Sequence, residues 1–431
     1  MRIDTLRLKN FKKFAESTCS LHPRFTLLVG ENGSGKTSIL DAMAVALGIW
    51  LIEPPDTTLQ SSGRNIFKKE IRLESSLIGD RMLFREHLPV VVSATGQIGE
   101  SSDLTWAREL RGQKTTNIEA KNALAVVRDI YERDRHGESV LCPVIAYYGA
   151  GRAWLPSNQP KPKSTKGPAR RWAAFYDCLN ERIRLPDLQE WFRNEALAAL
   201  PTGRMRTGFQ IVRRAILNCV PDADDVWFDA DRKQIALSIH HEAQPFDNLS
   251  AGQKMMVALV ADIAIKAVTQ NTFLVPNGNS EKDSAGMQRV LQETPGVVLI
   301  DEIDVHLHPR WQRMVAENLK NTFPAIQFVC TSHSPQVIGE LSPEEIRLMD
   351  TLQPPNQSFG MDSNWILQVL MGAEEQDIAV KSQLSTLFRL ISERQLEEAE
   401  RNIQELRSKI GNSQSIQRAA STIERVKILG R

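Results

Sequence analysis

The amino-acid sequence predicts an α/β fold built around a glycine-rich turn that joins a buried strand to a helix. The apolar run Phe25–Val29 ends at a glycine, and apolar residues then recur at helical spacing from Ile39 to Gly48. A second apolar run, 297–300, ends directly at two carboxylates. The chain finishes in charged amphipathic segments. Because strands and helices in this order form sheets covered by helices, we expect an α/β unit followed by a mainly helical region.

The individual elements follow from local patterning. Short or alternating apolar runs predict strands around Ile3 to Leu8 and at 25–29, 89–93, 144–148, 297–300 and 326–330, with hairpin strands at 226–228 and 235–240. Helical spacing predicts helices at 39–48, 117–135, 172–179, 188–197, 209–219 and 255–268. We therefore expect residues 1–350 to form the α/β unit, with a helical insertion at about 150–248, and residues 351–431 to be mainly helical.

The C-terminal region is predicted to contain three charged helices, at 378–391, 396–410 and 416–429. Two apolar stripes run along them, formed by Leu384, Leu387 and Leu390 and by Ile403, Leu406 and Ile410. Such stripes suit packing on the α/β unit or on a partner protein. This tail contains no histidine, so we expect no His-metal nuclease chemistry there.

Composition excludes several classes of protein. The 53 Lys and Arg residues nearly balance the 52 Asp and Glu residues, so no overall charge draws the chain to nucleic acid or to an anionic membrane. The five scattered cysteines form no close pair and are typical of a reducing compartment. The start lacks a secretory signal, and no apolar run is long enough to span a bilayer. We expect a cytoplasmic protein without membrane contact.

Residues 30–37, Gly-Glu-Asn-Gly-Ser-Gly-Lys-Thr, match the phosphate-binding loop G-x-x-x-x-G-K-[ST]. In this motif backbone amides and a helix N-terminus face the phosphates, the lysine reaches the β and γ phosphates, and the hydroxyl holds Mg²⁺. We therefore expect ATP and Mg²⁺ as cofactors. The candidate ligands are Asn32, Gly33, Ser34, Gly35, Lys36, Thr37 and Ser38, of which Thr37 would bind the metal.

The strand at 297–300 delivers two further candidates. Asp301 is suited to bind Mg²⁺ through water, and Glu302 is suited to polarise the attacking water. Asp304 and His306 follow, in a run that ends in His-Leu-His-Pro at 306–309. The spacing of His306 and His308 could suit a metal, but no cysteine lies nearby in the sequence, and we expect these histidines at a subunit interface beside the partner's ATP.

Two more segments carry polar groups at the ends of elements. The run 249–254, Leu-Ser-Ala-Gly-Gln-Lys, precedes a helix, where the Ser250 hydroxyl and the Gly252 amide would form a second anion site. This site comprises Ser250, Ala251, Gly252 and Gln253. His333 follows the strand at 326–330, where an imidazole could donate a hydrogen bond to a phosphate and orient a water molecule.

In chain order, the phosphate loop at 30–37, the run at 249–254, the acidic strand end at 301–302 and His333 resemble the motifs of the ABC ATPases, whose LSGGQ signature appears here with alanine in place of its first glycine. The resemblance implies an ABC ATPase head with a phosphate-loop sheet, an antiparallel subdomain, a helical insertion bearing the signature and a C-terminal helical appendage. It implies catalytic roles for Lys36, Glu302 and His333, the last as the switch histidine that senses the γ phosphate in that family. In that family the signature of one subunit caps the ATP held by another, so a homodimer or a higher homo-oligomer is expected.

The Leu-Arg-Leu-Lys-Asn-Phe opening at 6–11 and the run at 302–309 with its His-Leu-His-Pro end resemble the RecF, OLD and SMC-like branch. The chain is also similar to the PtuA ATPases of Septu and retron anti-phage systems. That resemblance implies a separate nuclease effector of the HNH or Toprim type. Two alternatives stay open: a RecF-like DNA-repair or DNA-binding ATPase, and an ATP-dependent scaffold with little hydrolysis. The glutamine that contacts Mg²⁺ in the Q-loop of the family has no clear counterpart in this sequence.

A basic segment leaves contact with nucleic acid open. Lysines and arginines are spaced between two tryptophans, in the series Trp154, Lys161, Lys163, Lys166, Arg170, Arg171 and Trp172. This arrangement could grip phosphates of DNA or RNA. The same pattern is also typical of a solvated charged loop, and the sequence favours this second interpretation.

Overall fold

The computed structural model describes residues 1–54, 64–112, 114–151, 171–181, 183–276, 284–373 and 378–429. The chain divides into two compact units, Met1–Asp362 and Ser363–Arg431. The first unit carries every strand of the described residues, whereas the second is helical.

Strands and helices alternate along the first unit. The strands of the described residues are β1 Arg2–Phe11, β2 Phe14–Ser20, β3 Phe25–Val29, β4 Arg72–Ile78, β5 Arg81–His87, β6 Val90–Ile98, β7 Ser101–Leu110, β8 Thr115–Thr116, β9 Val144–Tyr148, β10 Ala223–Asp229, β11 Gln234–Ile239, β12 Glu242–Pro245, β13 Gly296–Ile300, β14 Ile326–Thr331 and β15 Ile346–Leu348. The α-helices are α1 Lys36–Leu47, α2 Lys121–Arg135, α3 Leu185–Ala199, α4 Thr207–Cys219, α5 Ala251–Gln270, α6 Ser284–Glu293, α7 Pro309–Thr322, α8 Pro335–Ile338, α9 Ser363–Trp365, α10 Ile378–Ser392, α11 Leu396–Ile410 and α12 Gln414–Leu429.

The central sheet has the strand order β15-β3-β14-β13-β9, and all its neighbouring strands are parallel. Every residue of β3, β9, β13 and β14 is buried, as expected for a parallel sheet covered on both faces. Because β3, β13 and β14 are parallel, their carboxyl ends share one edge, where open α/β sheets bind ligands. The predicted strands at 25–29, 144–148, 297–300 and 326–330 are confirmed.

A second sheet, antiparallel in the order β2-β1-β6-β7-β8, packs with the central sheet around α1. All residues of α1 from Ile39 to Leu47 are buried, which places this helix inside the core. The indole of Trp106 on β7 donates to the carbonyl oxygen of Ala46 at 3.1 Å, and Arg108 donates to that of Val45 at 3.0 Å. The helix that follows the glycine-rich turn is therefore fixed by both sheets.

The helices α3, α4 and α5 pack together with a three-stranded antiparallel sheet, β10-β11-β12. The predicted helices at 188–197, 209–219 and 255–268 and the predicted hairpin are confirmed, and the hairpin gains a third strand. The predicted helix at 172–179 is wrong: Arg171–Phe175 is a short 3₁₀ turn. Here Trp172 and Phe175 stack on each other, so tertiary packing overrides the helical spacing.

The strands β4 and β5 form a separate two-stranded hairpin that periodicity did not predict. Their pairing places Leu73, Leu77, Met82 and Phe84 on one face, where they are 54%, 69%, 55% and 64% exposed. The opposite face is mostly charged, with pairs such as Glu74 opposite Arg85. This alternation is the period-2 signal of a strand, but its apolar face lies on the surface of the first unit.

In the second unit, α10, α11 and α12 pack against one another. Both predicted apolar stripes line the shared core, in which Leu387 and Leu406 are fully buried, together with Ile416 and Ala419 of α12. The expectation that the stripes pack on the α/β unit or on a partner is therefore wrong, because they cover each other. The three helices form a small core of their own.

All five cysteines are free and buried. Burial raises the pKa of the Cys19 thiol to about 11 and the pKa of Cys142, Cys178 and Cys219 to about 12. These thiols pack as small apolar side chains, as their scattered positions predict. Within the described ranges, no helix has the length and apolar character needed to cross a membrane.

Candidate nucleotide-binding site

The turn between β3 and α1 forms a cradle of backbone atoms. Gly35 has a φ of 103°, and a Cβ atom there would lie 2.8 Å from the Cδ of Lys13, so conformation and space both require glycine. The helix begins at Lys36, and the first amides of a helix have no partner within it. The Ser34 hydroxyl is buried without a hydrogen-bond partner in the described structure. Unpaired donors in such a turn fit a bound anion.

Lys36 lies within this cradle. Its ammonium donates to the carbonyl oxygens of Gly30 at 2.8 Å and Glu31 at 3.0 Å, and the residue is 8% exposed. Burial lowers the pKa of Lys36, because the ammonium loses water. Three carboxylates work in the opposite direction: Asp301, Glu302 and Asp304. The cation is thus held at the inner end of the turn, with the acidic residues around it.

Asp301 connects three elements of the site. The Thr37 hydroxyl donates to its Oδ2 at 3.0 Å, and the Thr331 hydroxyl donates to its Oδ1 at 2.6 Å. The backbone amide of Asp301 donates to the carbonyl oxygen of Tyr148 at 2.7 Å, which fixes β13 against the end of β9. The structure therefore brings together Thr37 and Asp301, the two predicted Mg²⁺ ligands. One carboxylate plus phosphate oxygens and water is the usual environment of Mg²⁺.

Glu302 begins a tightly turned loop after β13. Its φ is 49°, a left-handed conformation that non-glycine residues seldom adopt, and its amide donates to the Thr331 hydroxyl at 2.7 Å. The loop continues through Asp304, whose Oδ1 is buried without a hydrogen-bond partner in the described structure. An unpaired buried carboxylate oxygen is costly unless a ligand, water or cation completes it.

His333 follows β14, the neighbour of β13 in the central sheet. Its side chain is half-buried, between the buried residues Ser332 and Ser334. Because β13 and β14 run in parallel and in register, the loop of His333 and the loop of Glu302 leave the same edge of the sheet. The predicted switch histidine therefore lies on the edge that carries the glycine-rich turn.

The predicted signature forms the start of α5. Ser250 is the N-cap: its amide donates to Oε1 of Gln253 at 2.8 Å, and its Oγ accepts from the Gln253 amide at 3.3 Å. Ala251 begins the helix, and a Cβ atom on Gly252 would lie 2.4 Å from the carbonyl oxygen of His306. Glycine is thus required because the loop after Glu302 packs directly on the signature of the same chain.

A cleft of about 890 Å³ opens beside the signature. Ser250, Gly252 and His306 line it together with His240 and Trp311. Among its lining residues in the described structure there is none from the turn at 30–37. The predicted residues therefore form two groups on one chain: the cradle with Thr37, Asp301 and Glu302, and the signature with His306. Asn32, Gly33 and Ser38 belong to the first group, in the turn and the first turn of α1.

No metal cluster accompanies the two histidines of the 306–309 run. His308 is the N-cap of α7, and its Nδ1 accepts from the Arg310 amide at 3.3 Å. Within the described ranges, no group of three His, Cys, Asp or Glu side chains is placed to hold a metal ion.

The basic segment is described only at its end. Trp154, Lys161, Lys163, Lys166 and Arg170 lie outside the described residues. Arg171 forms an ion pair with Asp134, and Trp172 is buried against Tyr131 and Phe175. These last two residues of the segment therefore belong to the core and are not available to nucleic acid.

Motif matching missed several residues of the site. Thr331 joins Asp301 to the Glu302 amide, and Lys13 donates to the Gly33 carbonyl oxygen at 3.2 Å. Gln312 bonds to the loop after Glu302 and to Ser334. The sequence could have indicated Thr331, because it is a polar residue at the end of a buried strand. Lys13 and Gln312 reach the site only through the tertiary fold.

Comparison with known proteins gives two family matches and similar relatives. Residues 5–196 match the model described as "AAA domain", and residues 217–339 match "AAA domain, putative AbiEii toxin, Type IV TA system". The chain is 24% identical to the retron Vc95 probable ATPase of Vibrio cholerae serotype O1 biovar El Tor, over 87% of this chain and 80% of that protein. It is 28% identical to the Septu protein PtuA of Bacillus mycoides over 49% of this chain and 26% of that protein. The SMC head domain from Thermotoga maritima aligns over 78% of this chain and 91% of its own, at 17% identity and a TM-score of 0.40.

Proposed function

We propose that the chain works as an ABC-type ATPase of the RecF, OLD and SMC-like branch, in which ATP-dependent pairing of two copies controls a separate effector in bacterial anti-phage defence. One observation carries the pairing: the cradle around Lys36 and the signature around Ser250 form two separate groups on one chain. The Ser34 hydroxyl of the cradle has no partner in the described structure, and both groups lie at the start of a helix, at Lys36 and at Ala251, where the first amides have no partner within the helix, which suits an anion. Two copies facing each other would bring the signature of one to the cradle of the other.

The residues of the cradle fit ATP with Mg²⁺. The amides of the turn and the Lys36 ammonium would hold the phosphates, while Thr37 and Asp301 would hold the metal. The orphaned Ser34 hydroxyl supports this assignment, because a phosphate oxygen or a metal-bound water would complete it. When bound, Mg²⁺ would neutralise charge that develops on the phosphate oxygens.

Glu302 is the proposed residue that orients and polarises the attacking water. It lies next to Asp301 at the end of β13, and its backbone is fixed by Thr331. His333 is proposed to donate a hydrogen bond to the γ phosphate from the neighbouring loop, with which it shares the sheet edge. Ser250, Gly252 and Gln253 would close the site from the second copy, and Asp304 and His306 would lie beside them at the contact.

The defence role rests on similarity to ATPases of retron and Septu systems. The effector is proposed to be a nuclease of the HNH or Toprim type, encoded separately from this chain. The five buried free thiols support a reducing compartment, so we place the protein in the cytoplasm. Contact with nucleic acid would be made by the effector or by the basic segment before Arg171.

The composite site is tested by mixing two inactive variants. Lys36→Ala disables the cradle and Ser250→Arg disables the signature, so a mixed dimer keeps one intact site. We expect a 1:1 mixture to recover about a quarter of the wild-type ATPase rate, because half of randomly formed dimers are mixed and each has one working site of two. Each variant mixed with itself is the control. If subunit exchange is demonstrated and the mixture stays inactive, face-to-face pairing is wrong.

A further inference from the structure

We propose that Gln312 is a positioning residue that holds the loop of Glu302 and the loop of His333 in one arrangement. Gln312 lies in the first turn of α7 and is half-buried. Its Nε2 donates to the carbonyl oxygen of Leu307 at 2.9 Å and to that of Asp304 at 3.3 Å, and its Oε1 accepts from the Ser334 hydroxyl at 2.7 Å. The proposal rests on the roles assigned above to Glu302 and His333.

The orientation of this amide follows from its neighbours. The backbone oxygens of Asp304 and Leu307 can only accept, so the NH₂ group of Gln312 must face them. The Ser334 hydroxyl already accepts from the amides of Gln336 and Val337 in the first turn of α8. Its hydrogen is therefore free to point at Oε1 of Gln312. Both N–H donors of this side chain are used and its oxygen accepts one hydrogen bond, which makes glutamine the residue that fits both loops.

The loop on one side of Gln312 is strained. Glu302 and His306 have φ values of 49° and 62°, which favour glycine, so this backbone persists only where its surroundings enforce it. Two turns help: the Val305 amide donates to the Glu302 carbonyl oxygen, and the Leu307 amide donates to the Asp304 carbonyl oxygen, both at 3.1 Å. Gln312 bonds to the end of the second turn and so resists its opening.

The same loop reaches the signature. The carbonyl oxygen of His306 lies where a Cβ atom of Gly252 would clash, so a shift of this loop changes the surface on which Gly252 packs. On the other side, Ser334 follows His333 directly, so a displacement of the His333 backbone would move the hydroxyl that donates to Gln312. Gln312 thus couples the position of the switch histidine to Glu302 and to the signature that closes the partner's site.

The first test compares Gln312→Leu with Asn321→Leu in the full-length protein. Both replace an amide with an apolar side chain on α7, but Asn321 is exposed in the last turn of the helix. We expect Gln312→Leu to lower kcat by about tenfold or more, with little change in KM for ATP, because small misplacement of a reacting group has effects of this size. Asn321→Leu should match the wild type. A wild-type kcat in Gln312→Leu would overturn the proposal.

A second test uses Ser334, because Gln312→Leu alone could lower activity by disturbing the fold. Ser334→Thr keeps the hydroxyl and should retain kcat, whereas Ser334→Ala should lower it. The double variant Gln312→Leu/Ser334→Ala should be no slower than the slower single variant, since both changes break one connection. Losses that multiply in the double variant would contradict a shared connection, and thermal unfolding of all variants separates these effects from instability.

A separate experiment tests the proposed link between Gln312 and the signature. In a mixture of Gln312→Leu and Ser250→Arg subunits, one site pairs an intact cradle with the signature of the Gln312→Leu copy. We expect little recovery, because His306 no longer supports that signature correctly. Recovery to the level of the Lys36→Ala and Ser250→Arg mixture would overturn this link.

The variant Glu302→Gln is measured in parallel to separate the two proposals. Wild-type turnover in Glu302→Gln refutes the proposed site. An inactive Glu302→Gln beside a fully active Gln312→Leu refutes only the role of Gln312.

Discussion

The hydroxyl of Thr331 donates a 2.6 Å hydrogen bond to Oδ1 of Asp301 and accepts one of 2.7 Å from the amide of Glu302. A single buried hydroxyl at the end of β14 therefore fixes both acidic residues at the end of β13. Because this oxygen is fully buried, water cannot replace it without rearrangement of the two strands.

Replacing Thr331 tests this relationship. Thr331→Val keeps the shape of the side chain but removes the hydroxyl that donates to Asp301 and accepts from the Glu302 amide. We expect the free energy of unfolding to fall by about 2 kcal/mol, the cost of unsatisfied buried polar groups, and the ATPase rate to fall with it. Urea denaturation and steady-state kinetics measure the two effects. Thr331→Ser retains the hydroxyl and should recover most of both.

Lys36→Ala should abolish ATP binding. The substitution removes the cation that the turn holds between Gly30, Glu31 and the nearby carboxylates, so the phosphates would face acidic residues without compensation. Isothermal titration with Mg²⁺ and ATP measures the affinity. Lys9→Ala, which changes an exposed lysine of β1, is the matched control. Undiminished affinity in Lys36→Ala would remove the assignment of the turn as a phosphate cradle.

Glu302→Gln should separate binding from hydrolysis. The amide keeps the size of the side chain but cannot accept a proton or polarise water as a carboxylate does, so we expect ATP binding to persist and kcat to fall by about 10²-fold or more. Glu344→Gln, at an exposed glutamate, should behave like the wild type. Stable ATP-bound dimers of Glu302→Gln in sedimentation experiments would support pairing, and a wild-type kcat would move the base elsewhere.

The purified chain should not cut nucleic acid by itself. The residues after His333 contain no histidine, and α10 to α12 form a closed helical core with no side-chain group placed to hold a metal ion in the described structure. The chain is expressed without its neighbouring genes, purified, and incubated with ATP, with Mg²⁺ or Mn²⁺, and with plasmid, linear and single-stranded substrates. Cleavage that co-purifies with this chain and disappears in Lys36→Ala would contradict a separate effector.

The sequence predicts the strands and the helix around the candidate site better than it predicts the outer parts of the fold. Residues 30–37 and 297–302 are local motifs in which the chemistry lies within a few positions, so their strands and helix were found with nearly correct bounds. The hairpin β4–β5 was missed because its alternation is interrupted, by Ser75 on the apolar face and by Leu83 on the charged face. The contacts of Gln312 and Thr331 join positions that are distant in sequence, and no local pattern encodes them.

The buried cysteines have a practical consequence for spectroscopy. Since none of the five thiols is exposed, and burial raises the pKa of at least four of them, maleimide dyes and spin labels should react slowly with the native chain. A cysteine introduced at an exposed position such as Lys9 would then carry the label selectively. Distances between two labelled copies could be recorded during nucleotide turnover in a protein whose interior keeps every original side chain.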